Sequence, residues 1–219
     1  MASPGLVIFD CDGVLVDSEP LANASLAEGL QELGLAATPE ETHSRYLGLS
    51  WTSVIADLEV RYGGPLPDGW LERVQARDRD LFRRHLKPIP GVEAVVARLR
   101  RLRVPYCVAS SGSPDKMKLT LGVTGLLTYF QGVMFSSTMV ERGKPHPDLF
   151  QLAAERMGAR PKDTTVIEDS LNGVKAAAAA GMTVLAFVRD PLSDREALAA
   201  AGGRLFETMD DLPALLALA

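Results

Sequence analysis

Cysteine is nearly absent: there are two in 219 residues, Cys11 and Cys107, each inside an apolar segment that reads as a strand. A free thiol there behaves as a small buried hydrophobe, so both are expected to be reduced and structural. Cys11 makes a poor nucleophile, because the acids on either side raise a thiol's pKa and oppose thiolate formation. Histidine is scarce too, and His43, His85 and His146 lack metal-ligand spacing. No apolar run reaches the roughly eighteen residues of a membrane span. The opening MASPGLVIFD lacks the long apolar stretch of a signal peptide. A cytoplasmic protein without a membrane partner is therefore expected. Basic excess is also missing. The formal net charge is −5, whereas a nucleic-acid binder needs a basic face to neutralise phosphates. A small anionic substrate needs only a few local cations and is not excluded.

What is present is a globular composition, 47% hydrophobic and 23% charged, which rules out wholesale disorder. The length accommodates one α/β core with a surplus for a second small lobe, and a monomer is expected. Short apolar runs recur, each followed by Gly, Ser, Asp or Pro and then by a helix-period segment. That is the signature of βα units around a parallel sheet. Strands are predicted at 6–10, 106–110, 133–136, 165–168 and 183–188. Val92, Val95, Val96, Leu99 and Leu102 share one helix face, and Phe150, Leu152, Ala153 and Met157 share another. The Ala-rich run 175–180 ends at Gly181, as a helix closed by a C′ glycine does.

Residues 20–88 differ, offering helical periodicity without convincing strands. Leu26, Leu30 and Leu33 fall on one face, then Trp51, Val54, Ile55, Leu58 and Tyr62, then Trp70, Leu71, Val74, Leu81 and Phe82. Arg73, Arg77, Arg83 and Arg84 read as a solvated helix face. The predicted fold class is α/β. A Rossmann-like parallel sheet core flanked by helices spans 1–19 and 89–219, and a small all-helical cap, 20–88, is inserted after the first strand.

The chemistry gathers at strand exits. Leu6-Val7-Ile8-Phe9 runs into Asp10-Cys11-Asp12-Gly13, so two carboxylates emerge where a strand leaves the sheet, the edge at which open α/β folds bind ligands. Two close carboxylates repel unless a cation sits with them, and oxygen ligands suit Mg²⁺; alone, the pair also suits a turn that caps backbone groups. Thr165-Val166-Ile167 delivers a second acidic pair, Glu168-Asp169, followed by Ser170, where helix N-capping is the competing account. Together the two exits make a hard-cation site. Ser111 and the Gly112 amide lie at the Val108–Ser113 exit and face an anion there, or form a plain Ser/Gly turn. Lys144, within Gly143-Lys144-Pro145, offsets the acids and clamps a phosphoryl group, although an isolated lysine is ordinarily solvated.

These four segments, in this order, resemble the haloacid dehalogenase superfamily, whose hallmark is Asp-x-Asp after the first strand, then Ser or Thr, then Lys, then an acidic pair. The stretches from Phe9 to Glu19, from Gly143 to Asp148 and from Glu168 to Val174 are similar to the branch holding β-phosphoglucomutase and sugar-phosphate phosphatases, which carries a helical cap after the first strand. The resemblance implies Asp10 as nucleophile, forming an aspartyl phosphate, and Asp12 as general acid and base. It implies Mg²⁺ at Asp10, the Asp12 carbonyl, Glu168 and Asp169, with phosphoryl oxygens held by Ser111, Gly112 and Lys144. Substrate contacts are expected from Glu19, Asn23, Arg45, the Gly48-Leu49-Ser50-Trp51 loop and Asn172.

The implied activity is magnesium-dependent hydrolysis of a small phosphorylated metabolite, a sugar phosphate or a sugar-acid phosphate such as 6-phosphogluconate. The alternatives are a phosphohexomutase and a noncatalytic binding protein on the same fold. Against the mutase, Ala22 stands where that pattern has a cap histidine and Trp51 where it has a phosphate-gripping arginine. Against the binding protein, every expected catalytic side chain is present.

Overall fold

The computed structural model describes residues 3–46 and 51–218, Thr52 excepted in its side chain. Gly48, Leu49 and Ser50 of the expected substrate loop lie outside the described residues.

Six short strands form one wholly parallel sheet: Leu6–Phe9 (β1), Tyr106–Ser110 (β2), Met134–Ser136 (β3), Thr164–Glu168 (β4), Thr183–Phe187 (β5) and Gly203–Phe206 (β6), in the order β3-β2-β1-β4-β5-β6. Leu6, Val7, Ile8 and Phe9 are all fully buried, which is why β1 reads as a continuous apolar run rather than an alternating one. Five strands fall within a residue of their predicted bounds. The sixth, β6, was not foreseen.

Among the described residues, four helices follow β1: Glu19–Glu32 (α1), Pro39–Tyr46 (α2), Trp51–Tyr62 (α3) and Trp70–His85 (α4). The remaining helices are Val92–Leu102 (α5), Pro114–Val123 (α6), Leu127–Phe130 (α7), Asp148–Arg156 (α8), Leu171–Ala179 (α9), Arg195–Ala200 (α10) and Leu212–Leu215 (α11). The chain divides into two compact units, one of residues 1–17 with 87–219 and the other of residues 18–86.

In the first unit, Leu6, Ile8, Cys107, Ala109 and Val166 of the sheet pack with Leu149, Phe150 and Ala153 of α8 and with Val174, Ala176 and Ala177 of α9. Each large apolar side chain so buried contributes about 1.5–3 kcal/mol. Because β2 and β3 step away from β1 on one side while β4, β5 and β6 step away on the other, the connections diverge at the carboxyl ends of β1 and β4. A crevice opens at such a switch point.

The second unit has its own core of Leu26, Leu30, Ala37, Tyr46, Val54, Leu58, Trp70 and Val74. The Trp70 indole N–H donates to Gly29 O at 2.9 Å, and Ser25 Oγ donates to Val74 O at 3.2 Å, tying α1 to α4. Three of the α4 arginines are matched to acids: Arg77 pairs with Glu28 and Glu32, Arg73 with Glu32, and Arg83 with Asp80.

Candidate active site

Asp10 leaves β1 beside the end of β4, where Phe9 registers with Ile167 and the Asp10 amide donates to Ile167 O at 2.9 Å. Parallel pairing alone thus brings Asp10 and Glu168 to one edge. Lys144 lies in the loop before α8, its side chain only 5% exposed. Its ammonium donates to Asp10 Oδ1 at 2.5 Å, to Glu168 Oε1 at 2.6 Å and to Ala109 O at 3.2 Å. The Phe150 ring centroid lies 5.0 Å away. The other oxygen of Glu168 accepts from the amides of Asp169 and Ser170 and from the Ser170 hydroxyl, so a fully buried acid is satisfied at both ends.

The electrostatics follow from that burial. Desolvation pushes the Asp10 carboxyl up, Lys144 pulls it back, and Glu168 and Asp12 push it up again, leaving it at about 7. Burial works against the charge on Lys144, but the carboxylates of Asp10 and Glu168 outweigh it and hold the ammonium above its ordinary range. The Cys11 thiol is pushed well up by burial and then by Asp12 and Asp10, which agrees with the inert role read from its neighbours.

Helix α9 is capped by Ser170, whose hydroxyl accepts the Gly173 amide at 3.1 Å. Asp169 is therefore not the capping side chain, and its carboxylate lies against Gly13, where a Cβ would overlap it. Gly13 has φ +78°, a conformation glycine adopts without cost, and its amide donates to Val16 O at 2.9 Å, closing the turn after β1. At Gly173, too, a Cβ would overlap a carboxylate, here that of Glu168. Absent side chains thus let Asp169 approach the loop after β1 and Glu168 the first turn of α9.

The β2 exit differs in detail from the sequence expectation. Ser111 is exposed, and the Gly112 amide donates to Ser110 Oγ at 3.0 Å. Ser110, buried at the end of β2, was not singled out in the sequence; its hydroxyl organises this turn. Ser136 Oγ donates to Gly112 O and Ser137 Oγ to Ser111 O, both at 2.8 Å, binding the β3 exit to the β2 exit. Lys116 was missed as well, and its ammonium pairs with Asp12 Oδ2 at 2.9 Å.

Asn172 is half-buried in the first turn of α9. Glu19, Asn23, Arg45 and Trp51 all belong to the second unit. There the Asn23 amide nitrogen donates to Glu19 O and meets His43 Nδ1 at 3.0 Å. Arg45 is held by both oxygens of Asp57, at 2.9 and 2.8 Å, and Trp51 is exposed at the start of α3. The site in the first unit therefore unites Asp10, Asp12, Lys144, Glu168 and Asp169 around one strand edge.

A family model described as haloacid dehalogenase-like hydrolase matches residues 7–187. The 6-phosphogluconate phosphatase of Escherichia coli is 34% identical over 186 residues, covering 84% of this chain and 83% of its own. A phosphorylated carbohydrates phosphatase of Thermotoga maritima is 31% identical over 200 residues, covering 90% of each. A solved hydrolase of the same family from Deinococcus radiodurans, with bound phosphate and sodium, gives a TM-score of 0.84 at 30% identity, covering 99% of this chain and 96% of that one.

Proposed function

The chain belongs to the haloacid dehalogenase-like hydrolase family as an enzyme acting on phosphoric monoesters, and we propose that it hydrolyses a phosphorylated sugar or sugar acid through an aspartyl phosphate on Asp10. The observation that carries this reading is the Lys144 ammonium, 2.5 Å from Asp10 and 2.6 Å from Glu168 in a nearly closed setting. A buried lysine held charged beside a carboxylate at a strand edge suits the capture of a phosphoryl anion next to its attacker.

In the first step an Asp10 oxygen attacks phosphorus and the bond to the ester oxygen breaks. The electron pair leaves on that oxygen, which takes a proton from Asp12. In the second, Asp12 takes a proton from water as the water oxygen attacks phosphorus. The bond to Asp10 breaks and inorganic phosphate departs. Lys144, Ser111 and the Gly112 amide hold the nontransferring oxygens; the last of these exchanges its present bond to Ser110 for the phosphate.

The donor set fits a small hard cation. It is all oxygen, it comes from two adjacent strand ends, and glycines at 13 and 173 make room for the acids. Asp10, Asp169 and the Asp12 carbonyl would hold Mg²⁺, with Glu168, which also carries Lys144, completing the set. When bound, such an ion would supply positive charge that offsets the repulsion between an anionic nucleophile and a phosphate ester. Choice among sugar phosphates is assigned to Glu19, Asn23, Arg45, Trp51 and Asn172.

The test is phosphate release from a panel of sugar and sugar-acid phosphates, with Mg²⁺ or with EDTA, by wild type and Asp10→Asn. Turnover that needs both Mg²⁺ and Asp10 is expected. Equal rates for the two proteins would remove Asp10 as nucleophile, and an isomeric sugar phosphate in place of inorganic phosphate would assign a mutase.

A further inference from the structure

The Asp12 side chain is met by a lysine that none of the four motif segments contains. Lys116 stands in the first turn of α6, where its amide donates to the Ser113 hydroxyl that caps the helix, at 3.2 Å. Its stem passes over Gly112: a Cβ there would lie 3.3 Å from Lys116 Cδ and 3.7 Å from Asp12 Oδ2, so the missing side chain leaves the slot through which the lysine reaches. One turn later on the same face, Thr120 Oγ1 donates to Lys116 O at 3.0 Å and lies 3.7 Å from Cys11 Sγ. Two successive turns of α6 thus meet two successive residues of the loop after β1, Thr120 on Cys11 and Lys116 on Asp12.

Stability does not account for the pair. The two side chains are 38% and 27% exposed, and ion pairs so open to water stabilise little. Placement accounts for it better. A carboxylate fixed through one oxygen presents the other in a defined direction, and proton transfer depends steeply on that alignment.

We propose that Lys116 is a positioning residue that orients the Asp12 carboxyl for delivery of its proton to the leaving alcohol oxygen as the phosphorus–oxygen bond breaks. This rests on the reading of Asp12 as the proton donor. Proton donation matters for a poor leaving group, such as a sugar hydroxyl, and little for a good one, such as p-nitrophenolate. The measurement is kcat/KM with both kinds of phosphate ester for wild type, Lys116→Met, Lys116→Arg, Asp12→Asn and the Asp12→Asn/Lys116→Met double variant.

Lys116→Met is expected to lower kcat/KM for a sugar phosphate on the order of 10–100-fold, within the contribution of a positioned acid, and for the aryl phosphate less than about threefold. Lys116→Arg is expected to recover most of the loss. In the Asp12→Asn background the lysine substitution should change nothing further. Equal losses with both esters would overturn the proposal in favour of direct contact between Lys116 and the phosphoryl group. No loss with either would overturn it outright. If Asp12→Asn itself spares the sugar phosphate, the assignment of Asp12 fails and this proposal with it; if Asp12→Asn is selective while Lys116→Met is not, only the lysine's role falls.

Discussion

At the scale of single residues, the site concentrates charge where water is scarce, and Lys144 is the residue whose removal exposes that most directly. Lys144→Met leaves the carboxylates of Asp10 and Glu168 facing each other without their ammonium. Removing one member of a buried charge set costs about 3–5 kcal/mol. Asp10, already pushed up to about 7, relieves part of that cost by holding a proton, so about 3 kcal/mol is expected. In magnesium-free buffer this is a fall in Tm of about 6–12 °C for a chain of this size, read by circular dichroism. Gly173→Ala displaces the Glu168 carboxylate from the other side and should lower kcat at least about tenfold despite alanine's better helix propensity. Burial pushes the thiols of Cys107 and Cys11 upward, so neither should react with a disulfide reagent at pH 8 until denaturant is added. The acids and Lys144 were readable in the sequence because strand exits of a parallel sheet share one edge. Lys116 was not: a lysine in a first helical turn looks solvated, and its partner lies 104 positions away.

At the scale of elements, α2 and α3 are joined by a polar cluster that periodicity does not reveal. Asp57 accepts both Arg45 nitrogens and the Tyr46 hydroxyl at 2.7 Å, while Arg61 donates to that hydroxyl at 2.6 Å. The Arg45 bonds foremost hold the Asp57 carboxyl down at about 2, from an ordinary 3.8. A group with a depressed folded pKa binds its proton more readily unfolded, so its stabilisation is present above about pH 4 and fades as pH falls toward 2. Arg45→Met should flatten that part of the dependence of Tm on pH relative to wild type. Equal slopes between pH 4 and 2 would show that the cluster does not link the helices. The periodic apolar faces predicted α1, α3 and α4, since burial is what the pattern records, but not α2, where only Thr42 and Tyr46 are buried. The pattern failed at β6, a four-residue strand at the sheet edge. It begins with glycine and has only Phe206 fully buried, too little apolar signal to separate it from a loop.

At the scale of the molecule, the question is how a chain can leave a parallel sheet for 18–86 and return without unravelling β1. The two crossings are fastened to each other within the first unit. The Asp17 amide donates to Lys87 O and the Ile89 amide to Leu15 O, each at 3.0 Å, with Val16 and Pro88 in an antiparallel bridge between them. The first unit therefore closes through its own hydrogen bonds at the point of insertion, and each unit has a separate apolar core. Insertions are tolerated where the flanking ends lie close together. Since Asp17 and Lys87 already face each other as hairpin positions, a two-residue Asn-Gly turn has the geometry to join them. A chain with Asn-Gly in place of 18–86 is expected to fold as a parallel α/β core, with cooperative thermal unfolding and Cys107 still protected from thiol reagents. It should release phosphate from an aryl ester faster than from any sugar phosphate, because the residues assigned to sugar selection, Asn172 excepted, have gone with the insert. A molten circular dichroism signal with exposed Cys107 would mean that the first unit depends on the second for its fold. A retained sugar preference would place selection in the core.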